Sequence, residues 1–164
     1  NKNYKKLYAC RKDLGGGALM TECHEIDLII SFFGEPINLN CKKIFNKKFN
    51  IDVETGYKMK LNYQDFSVNF KINMFNKNSK REIIVNKGNI YKLDLQNNFI
   101  EIFKRKKKLV KGNKKDNYMQ FKNQLDYLLS SKYNLKKSII QAESNIKILS
   151  AAIKSDKLRM NVKI

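Results

Sequence analysis

Hydrophobic residues near the start of the chain recur with helical spacing. Leu19, Cys23, Ile26 and Ile30 fall on one face, with Met20 and Leu28 beside it and Phe32 and Phe33 near the end. Thr21, His24 and Asp27, three apart, form an adjoining polar stripe, so the pattern predicts one helix with one side in a core and another facing a cleft. Gly34 stops that helix and Pro36 blocks its resumption. From there the period falls to two. Residues 37–41 alternate, 57–63 alternate cleanly, and a Gln64-Asp65 turn joins 57–63 to 66–74 as an antiparallel hairpin. Further extended runs follow at 81–85, 90–95 and 99–103, separated by turn-like segments at 76–79, 86–89 and 97–98. Helical spacing returns at 118–129, where Phe121, Leu125 and Leu128 line up, and at 139–153, where Ile139, Ala142, Ile146, Leu149 and Ile153 do so.

This order of elements predicts a single α+β domain over residues 1–164. A large, mostly antiparallel (mixed) open sheet carries one apolar and one wetter face, and the first helix and the two later ones cover the apolar face. A chain of 164 residues with 42% hydrophobic content is long enough for a real core. No apolar run is long enough to span a membrane, and the opening residues lead into no signal-peptide core. The chain begins without methionine, as a piece of something longer would.

Cys10, Cys23 and Cys41 are odd in number and widely spaced, which argues against a disulfide scaffold and for a reducing, cytoplasmic setting. No Cys-x-x-Cys pair exists and one histidine completes no ligand set, so no metal site is expected. Cys23 and His24 are adjacent rather than facing, which disfavours a thiol–imidazole nucleophile. The formal charge of +19, from 34 Lys+Arg against 15 Asp+Glu, attracts polyanions non-specifically. Its lysines are dispersed and follow no recognition-helix, RNA-binding or zinc-finger pattern, so no specific nucleic-acid partner is expected. The sharpest run, Lys104-Arg105-Lys106-Lys107-Lys108, reads as a solvated edge and loop.

The candidate chemistry lies in the Gly15-Gly16-Gly17 turn and the helix after it, which carries the chain's only histidine. Three glycines mark a tight connection or a close backbone approach, one that a ligand could exploit. His24 is then either a structural histidine at a helix boundary or a proton-transfer group.

Arg11-Lys12-Asp13-Leu14, the glycine triplet, Ala18-Leu19-Met20, His24-Glu25-Ile26-Asp27 and Phe33-Gly34-Glu35-Pro36 together resemble the opening of the C-terminal domain of Gfo/Idh/MocA oxidoreductases, which use a nicotinamide cofactor on sugars and polyols. Asp52-Val53-Glu54, the turn at Lys87-Gly88-Asn89, the helix with Phe121, Gln124 and Leu125, and the segment 142–164 follow the same order, so the resemblance covers nearly the whole chain. It implies a Rossmann domain that precedes this one and holds NAD or NADP; no Gly-x-Gly-x-x-Gly strand-to-helix turn occurs here. The family's catalytic lysine, in a Glu-Lys-Pro motif, would lie in that preceding domain.

The resemblance matches His24 to the family histidine beside the reacting hydroxyl carbon. It leaves Asp27 either orienting helix and substrate or making a structural hydrogen bond. Met20 stands where many members carry an acid, leaving Thr21 as the nearest polar group on the histidine's side. Arg11 and Lys12 are candidates for an anionic substrate group, and Asn117, Tyr118 and Gln124 for the cleft wall, with surface and capping roles competing. Two functions follow: the substrate-binding and partly catalytic half of an NAD(P)-dependent sugar oxidoreductase, unable to transfer hydride alone, or a catalytically silent ligand-binding or oligomerisation domain. The resemblance also implies a homo-oligomer.

Overall fold

The computed structural model describes residues 3–75, 82–87, 89–94, 99–103, 107–111 and 117–164. Expected turns at 76–79, 88 and 97–98, and residues 104–106 of the basic run, lie outside them. Helices α1 (Ala18–Thr21) and α2 (His24–Phe33) come first. They are followed by strands β1 (Asn38–Ile44), β2 (Gly56–Asn62), β3 (Ser67–Asn73), β4 (Glu82–Lys87), β5 (Asn89–Asp94), β6 (Phe99–Phe103) and β7 (Lys107–Lys111). Helices α3 (Asn117–Leu128) and α4 (Leu135–Leu158) and the short strand β8 (Val162–Lys163) complete the chain. The strands form one sheet in the order β7-β6-β5-β4-β3-β2-β1-β8, antiparallel at every described pairing. The α+β architecture read from the sequence is therefore the observed one.

Alternation sets the sheet's two faces. Leu39 and Cys41 of β1, Tyr57, Met59 and Leu61 of β2, and Val68, Phe70 and Ile72 of β3 are buried on one side. Each fully buried side chain of this size contributes roughly 1.5–3 kcal/mol. The β2–β3 hairpin closes where expected, with Asn62 opposite Ser67 and the Tyr63 N–H donating to the Phe66 carbonyl at 2.9 Å. Its tip holds the end of α2: the Tyr63 and Phe66 rings stack at 4.5 Å, Phe33 meets Phe66 edge-on at 5.2 Å, and the Tyr63 hydroxyl donates to the Gly34 carbonyl at 3.0 Å.

Three sequence expectations change. The predicted first helix is broken at Glu22-Cys23 into α1 and α2. Helix α4 packs through Ser144, Ile148, Ala151, Ala152 and Ser155, whereas Ile139, Ala142, Ile146 and Ile153 face outward. Small residues win because they let the helix approach β1 closely: the Cys41 N–H donates to Ser155 Oγ at 3.0 Å and the Lys43 N–H to Asp156 Oδ1 at 2.8 Å. Those two bonds also cover the stretch of β1 that β8 leaves unpaired. Finally, Phe121, Leu125 and Leu128 of α3 are exposed, so this helix does not bury its apolar stripe in the core. Lys107 and Lys108, the end of the lysine run expected at an edge, open β7, an edge strand paired with β6. No helix among the described residues is long and apolar enough to cross a membrane.

Candidate functional site

The glycine turn is packed by the chain's own atoms. The Gly16 N–H donates to the Arg11 carbonyl and the Gly17 N–H to the Ala9 carbonyl, each at 2.9 Å. A Cβ on Gly16 would lie 2.3 Å from the Tyr8 carbonyl oxygen, and one on Gly17, at φ 115°, would lie 2.7 Å from Glu54 Oε1. The close approach expected for a ligand is thus made by backbone and by Glu54. The buried Glu54 accepts from the Ala18 N–H through its carbonyl and from the Leu19 N–H through Oε1, both at 3.1 Å, while Lys43 Nζ lies 3.4 Å from Oε2. The Asp52-Val53-Glu54 segment therefore anchors the start of α1, a role visible in sequence only as an acid between two extended runs. The N–H groups of Gly15, Gly16 and Gly17 all donate to the chain's own carbonyls, of Lys12, Arg11 and Ala9, so the turn presents no free glycine N–H to a phosphate.

The break at Glu22 separates the polar stripe. Thr21 Oγ1 donates back to the Gly17 carbonyl at 2.8 Å, and the Tyr57 hydroxyl donates to the Glu22 carbonyl at 2.8 Å. His24 becomes the first residue of α2 and is exposed. Asp27 turns towards α4, where its Oδ1 accepts from Gln141 Nε2 at 2.9 Å and Asn145 Nδ2 at 3.2 Å. A second tie joins the same elements through Ser144 Oγ, which donates to Glu35 Oε1. Gln141 and Asn145, four apart on α4, were not singled out in the sequence; only their helical spacing could have suggested a polar contact.

The other candidates disperse. Arg11 forks onto Asp13, whose hydrogen bond holds the guanidinium above its ordinary value, while the same bond to Arg11 holds the Asp13 carboxyl below its own. The Lys12 N–H donates to Asp52 Oδ1 at 3.2 Å and its side chain is exposed. Asn117 and Tyr118 open α3, and Gln124 is exposed on it. A cleft of about 770 Å³ lies over the sheet and is walled by Glu22, Glu25, Met59 and Phe70 together with Lys42, Lys58, Lys60 and Lys71; His24 is not among its walls. No group of three or more His, Cys, Asp or Glu gathers for a metal among the described residues.

These features define an α+β domain: an open antiparallel sheet roofed on one face by helices, with a histidine exposed at a helix start. Solved structures share that fold. An NAD binding oxidoreductase from Klebsiella pneumoniae superposes with a TM-score of 0.74 at 11% identity, over 96% of this chain and 53% of that one. Aldose-aldose oxidoreductase from Caulobacter crescentus, complexed with glycerol, gives a TM-score of 0.70 at 16% identity, over 97% and 51% of the two chains. UDP-N-acetylglucosamine 3-dehydrogenase from Acidithiobacillus ferrooxidans gives 0.56 at 16% identity, over 85% and 46%. The chain spans about half the length of these structures. They are Gfo/Idh/MocA-type oxidoreductases, so the fold expected from the sequence resemblance is the one found. No protein-family model matches the sequence, and no curated protein matches it.

Proposed function

We propose that this chain is the substrate-binding and partly catalytic half of an NAD(P)-dependent oxidoreductase acting on a hydroxyl of a sugar, sugar derivative or polyol. The observation that carries the reading is the fold, shared over 96% of the chain with an NAD binding oxidoreductase. Neighbours named for an aldose and for a nucleotide sugar support the substrate class. Oxidation of a hydroxyl carbon requires loss of the hydroxyl proton, and an imidazole can take that proton and return it in the reverse direction. His24 is exposed at the start of α2 and is assigned this task. Asp27 serves as a positioning residue, its carboxylate tying the histidine's helix to α4. Arg11, Lys12, Thr21, Asn117, Tyr118 and Gln124 are retained as lower-ranked substrate contacts. The cofactor is assigned to a separate domain, a reading supported by the glycine turn here, whose N–H groups are spent on the chain's own carbonyls. Three free cysteines suit a reducing cytoplasm, and self-association is part of the same reading.

A second reading, a catalytically silent ligand-binding or oligomerisation domain, is favoured by one observation. Arg11, Thr21 and Asp27 all spend their polar atoms on the protein itself. The deciding experiment starts from the native product isolated from its source, with intact mass and N-terminal peptide mapping, then assays nicotinamide reduction with a panel of aldoses, nucleotide sugars and polyols. Turnover that falls at least about 100-fold in His24→Ala supports the first reading. A native product without nicotinamide-dependent turnover, or a His24→Ala variant as active as the parent, overturns it. The 164-residue polypeptide alone is expected to transfer no hydride.

A further inference from the structure

Strand β2 sends Tyr57, Met59 and Leu61 towards the helices, where they are buried, and leaves Lys58 and Lys60 exposed on the other face. Of the three inward side chains only Tyr57 carries a polar group, and a hydroxyl on a residue with no exposed surface requires an acceptor. It finds one in the Glu22 carbonyl at 2.8 Å, while its ring meets Phe70 edge-on at 5.9 Å. In an uninterrupted helix that carbonyl would accept from the Ile26 N–H, four residues on. Here the Ile26 and Asp27 N–H groups both donate to the Cys23 carbonyl instead, at 3.0 and 3.2 Å. The helix breaks where Tyr57 takes its acceptor. Three residues before Tyr57, Glu54 holds the other end of α1: its carbonyl accepts from the Ala18 N–H and its Oε1 from the Leu19 N–H, both at 3.1 Å. The single turn of α1 is thus clamped at its start and at its end by the residues that lead into one strand.

We propose that Tyr57, acting with Glu54, is a positioning residue that sets the direction of His24. The inference rests on the reading of His24 as the proton-transfer group. If the Glu22 carbonyl returned to the Ile26 N–H, the spacing of Leu19, Cys23, Ile26 and Ile30 would carry one helix through the break and put His24 in line with Thr21 and Asp27. With that carbonyl held by Tyr57, Asp27 turns to Gln141 and Asn145, and His24 stands exposed as the first residue of α2. Tyr57 itself does not touch substrate, since it has no exposed surface and its proton is committed to a backbone carbonyl. Burial, and next the Glu25 carboxylate, push its phenol well above the ordinary value. The hydroxyl therefore remains a donor throughout the range in which an imidazole exchanges protons. Proton transfer needs the reacting atoms about 3–3.5 Å apart, so a displacement of about 1 Å in the imidazole suffices for a large loss of rate.

The test compares Tyr57→Phe, which keeps the ring and removes the hydroxyl, with Val68→Ala, which opens a space beside Leu61, four residues along β2 from the clamp. In the 164-residue chain His24 is the only imidazole, so labelled histidine gives one set of nuclear magnetic resonance signals. Tyr57→Phe is expected to shift or split that set, and Val68→Ala to leave it in place. In the native product, Tyr57→Phe is expected to lower kcat for nicotinamide-dependent turnover at least about ten-fold with KM within about two-fold of the parent. The remaining rate keeps the parent's pH dependence, because Tyr57 carries no proton of the reaction. Val68→Ala, expected to lose more stability than one hydrogen bond contributes, keeps its kcat. Glu54→Gln, which loosens the other end of the clamp, is read in the same way and keeps the test open should Tyr57→Phe not fold. An unmoved histidine signal or an unchanged kcat in a folded Tyr57→Phe variant overturns the proposal. Equal effects of Tyr57→Phe and Val68→Ala overturn it too, since they would trace the loss to stability alone. A native parent without turnover overturns the proposed activity instead, and the histidine signal then decides whether Tyr57 directs His24.

Discussion

Strands β1–β3 and strands β4–β6 share one sheet and one pairing geometry, yet only the first group is fully roofed. Under α1, α2 and α4, eight side chains of β1–β3 are buried: Leu39, Cys41, Tyr57, Met59, Leu61, Val68, Phe70 and Ile72. On the same face Ile83 and Val85 of β4 are still buried, but Tyr91 and Leu93 of β5 and Ile102 of β6 are only half-buried. The alternating pattern is as clear in the second group as in the first. Alternation thus specifies a strand and its apolar face, while the depth of burial depends on which helix reaches it. The candidate histidine lies at the roofed end, where Glu54, Asp27 and Glu35 each bind a second element and hold α1, α2 and α4 in place.

Cavity formation tests this contrast most severely. Leu61→Ala removes a side chain with no exposed surface and is expected to cost about 3 kcal/mol, within the range for well-packed leucines. Leu93→Ala, at the matching face of β5, should cost less than half of that because part of the side chain is already in water. Urea unfolding of the two variants measures the difference. Equal losses would mean that β5 is covered in solution as closely as β2, and the contrast would fail.

The roof itself is tested by Glu54→Ala. This substitution leaves the Leu19 N–H without its acceptor and strips the half-buried Lys43 of its carboxylate, at an expected cost of about 2 kcal/mol. Glu54→Gln retains an oxygen acceptor for the N–H and should recover roughly half of the loss. If glutamine proves as damaging as alanine, the charge on Lys43 matters more than the bond to α1.

Much of the roofed half could be read from residue order. The β2–β3 hairpin lies where a two-residue turn and two alternating runs place it, and Gly34 ends α2 with its N–H on the Ile30 carbonyl at 2.8 Å. The break between α1 and α2 could not be read, since the apolar spacing continues across it. It is marked by the Tyr57 hydroxyl on the Glu22 carbonyl, a contact between residues 35 apart. The packing face of α4 was misread for a related reason. Isoleucines carry the stronger hydrophobic signal, but Ser144, Ala151, Ala152 and Ser155 permit the close contact with β1, where Ser155 Oγ accepts from the Cys41 N–H, and the two serine hydroxyls donate to Glu35 Oε1 and the Met160 carbonyl. At the candidate site, His24 was legible as the chain's only imidazole, whereas the partners of Asp27 lie on a helix more than 100 residues later.

The dryness of the roofed core has a pH signature. Burial pushes the Cys41 thiol from 9.0 up to about 12, with Asp156 adding to the effect. The folded state therefore keeps its proton at a pH where the unfolded chain releases it. Stability from this group is complete below about pH 9 and declines as the pH rises towards 12, by about 1 kcal/mol between pH 9 and 10. Other groups titrate in the same range, so the quantity to measure is the difference between the parent and Cys41→Ala, unfolded in urea with a reductant present. A difference that stays flat from pH 8 to 10 would show that water reaches Cys41 beneath α4.

The smallest effect is expected where the sequence promised a core contact and the structure exposes one. Phe121 on α3 and Ile146 on α4 are 64% and 65% exposed, so Phe121→Ser and Ile146→Ser should each change stability by no more than about 0.5 kcal/mol. Serine, isoleucine and phenylalanine are nearly equal helix formers, so propensity does not confuse the reading. A loss of about 2 kcal/mol would require burial that the isolated chain does not provide. Repeating the measurement across a hundred-fold range of protein concentration then identifies the source, since a loss that appears only at high concentration belongs to a contact between chains rather than to the fold.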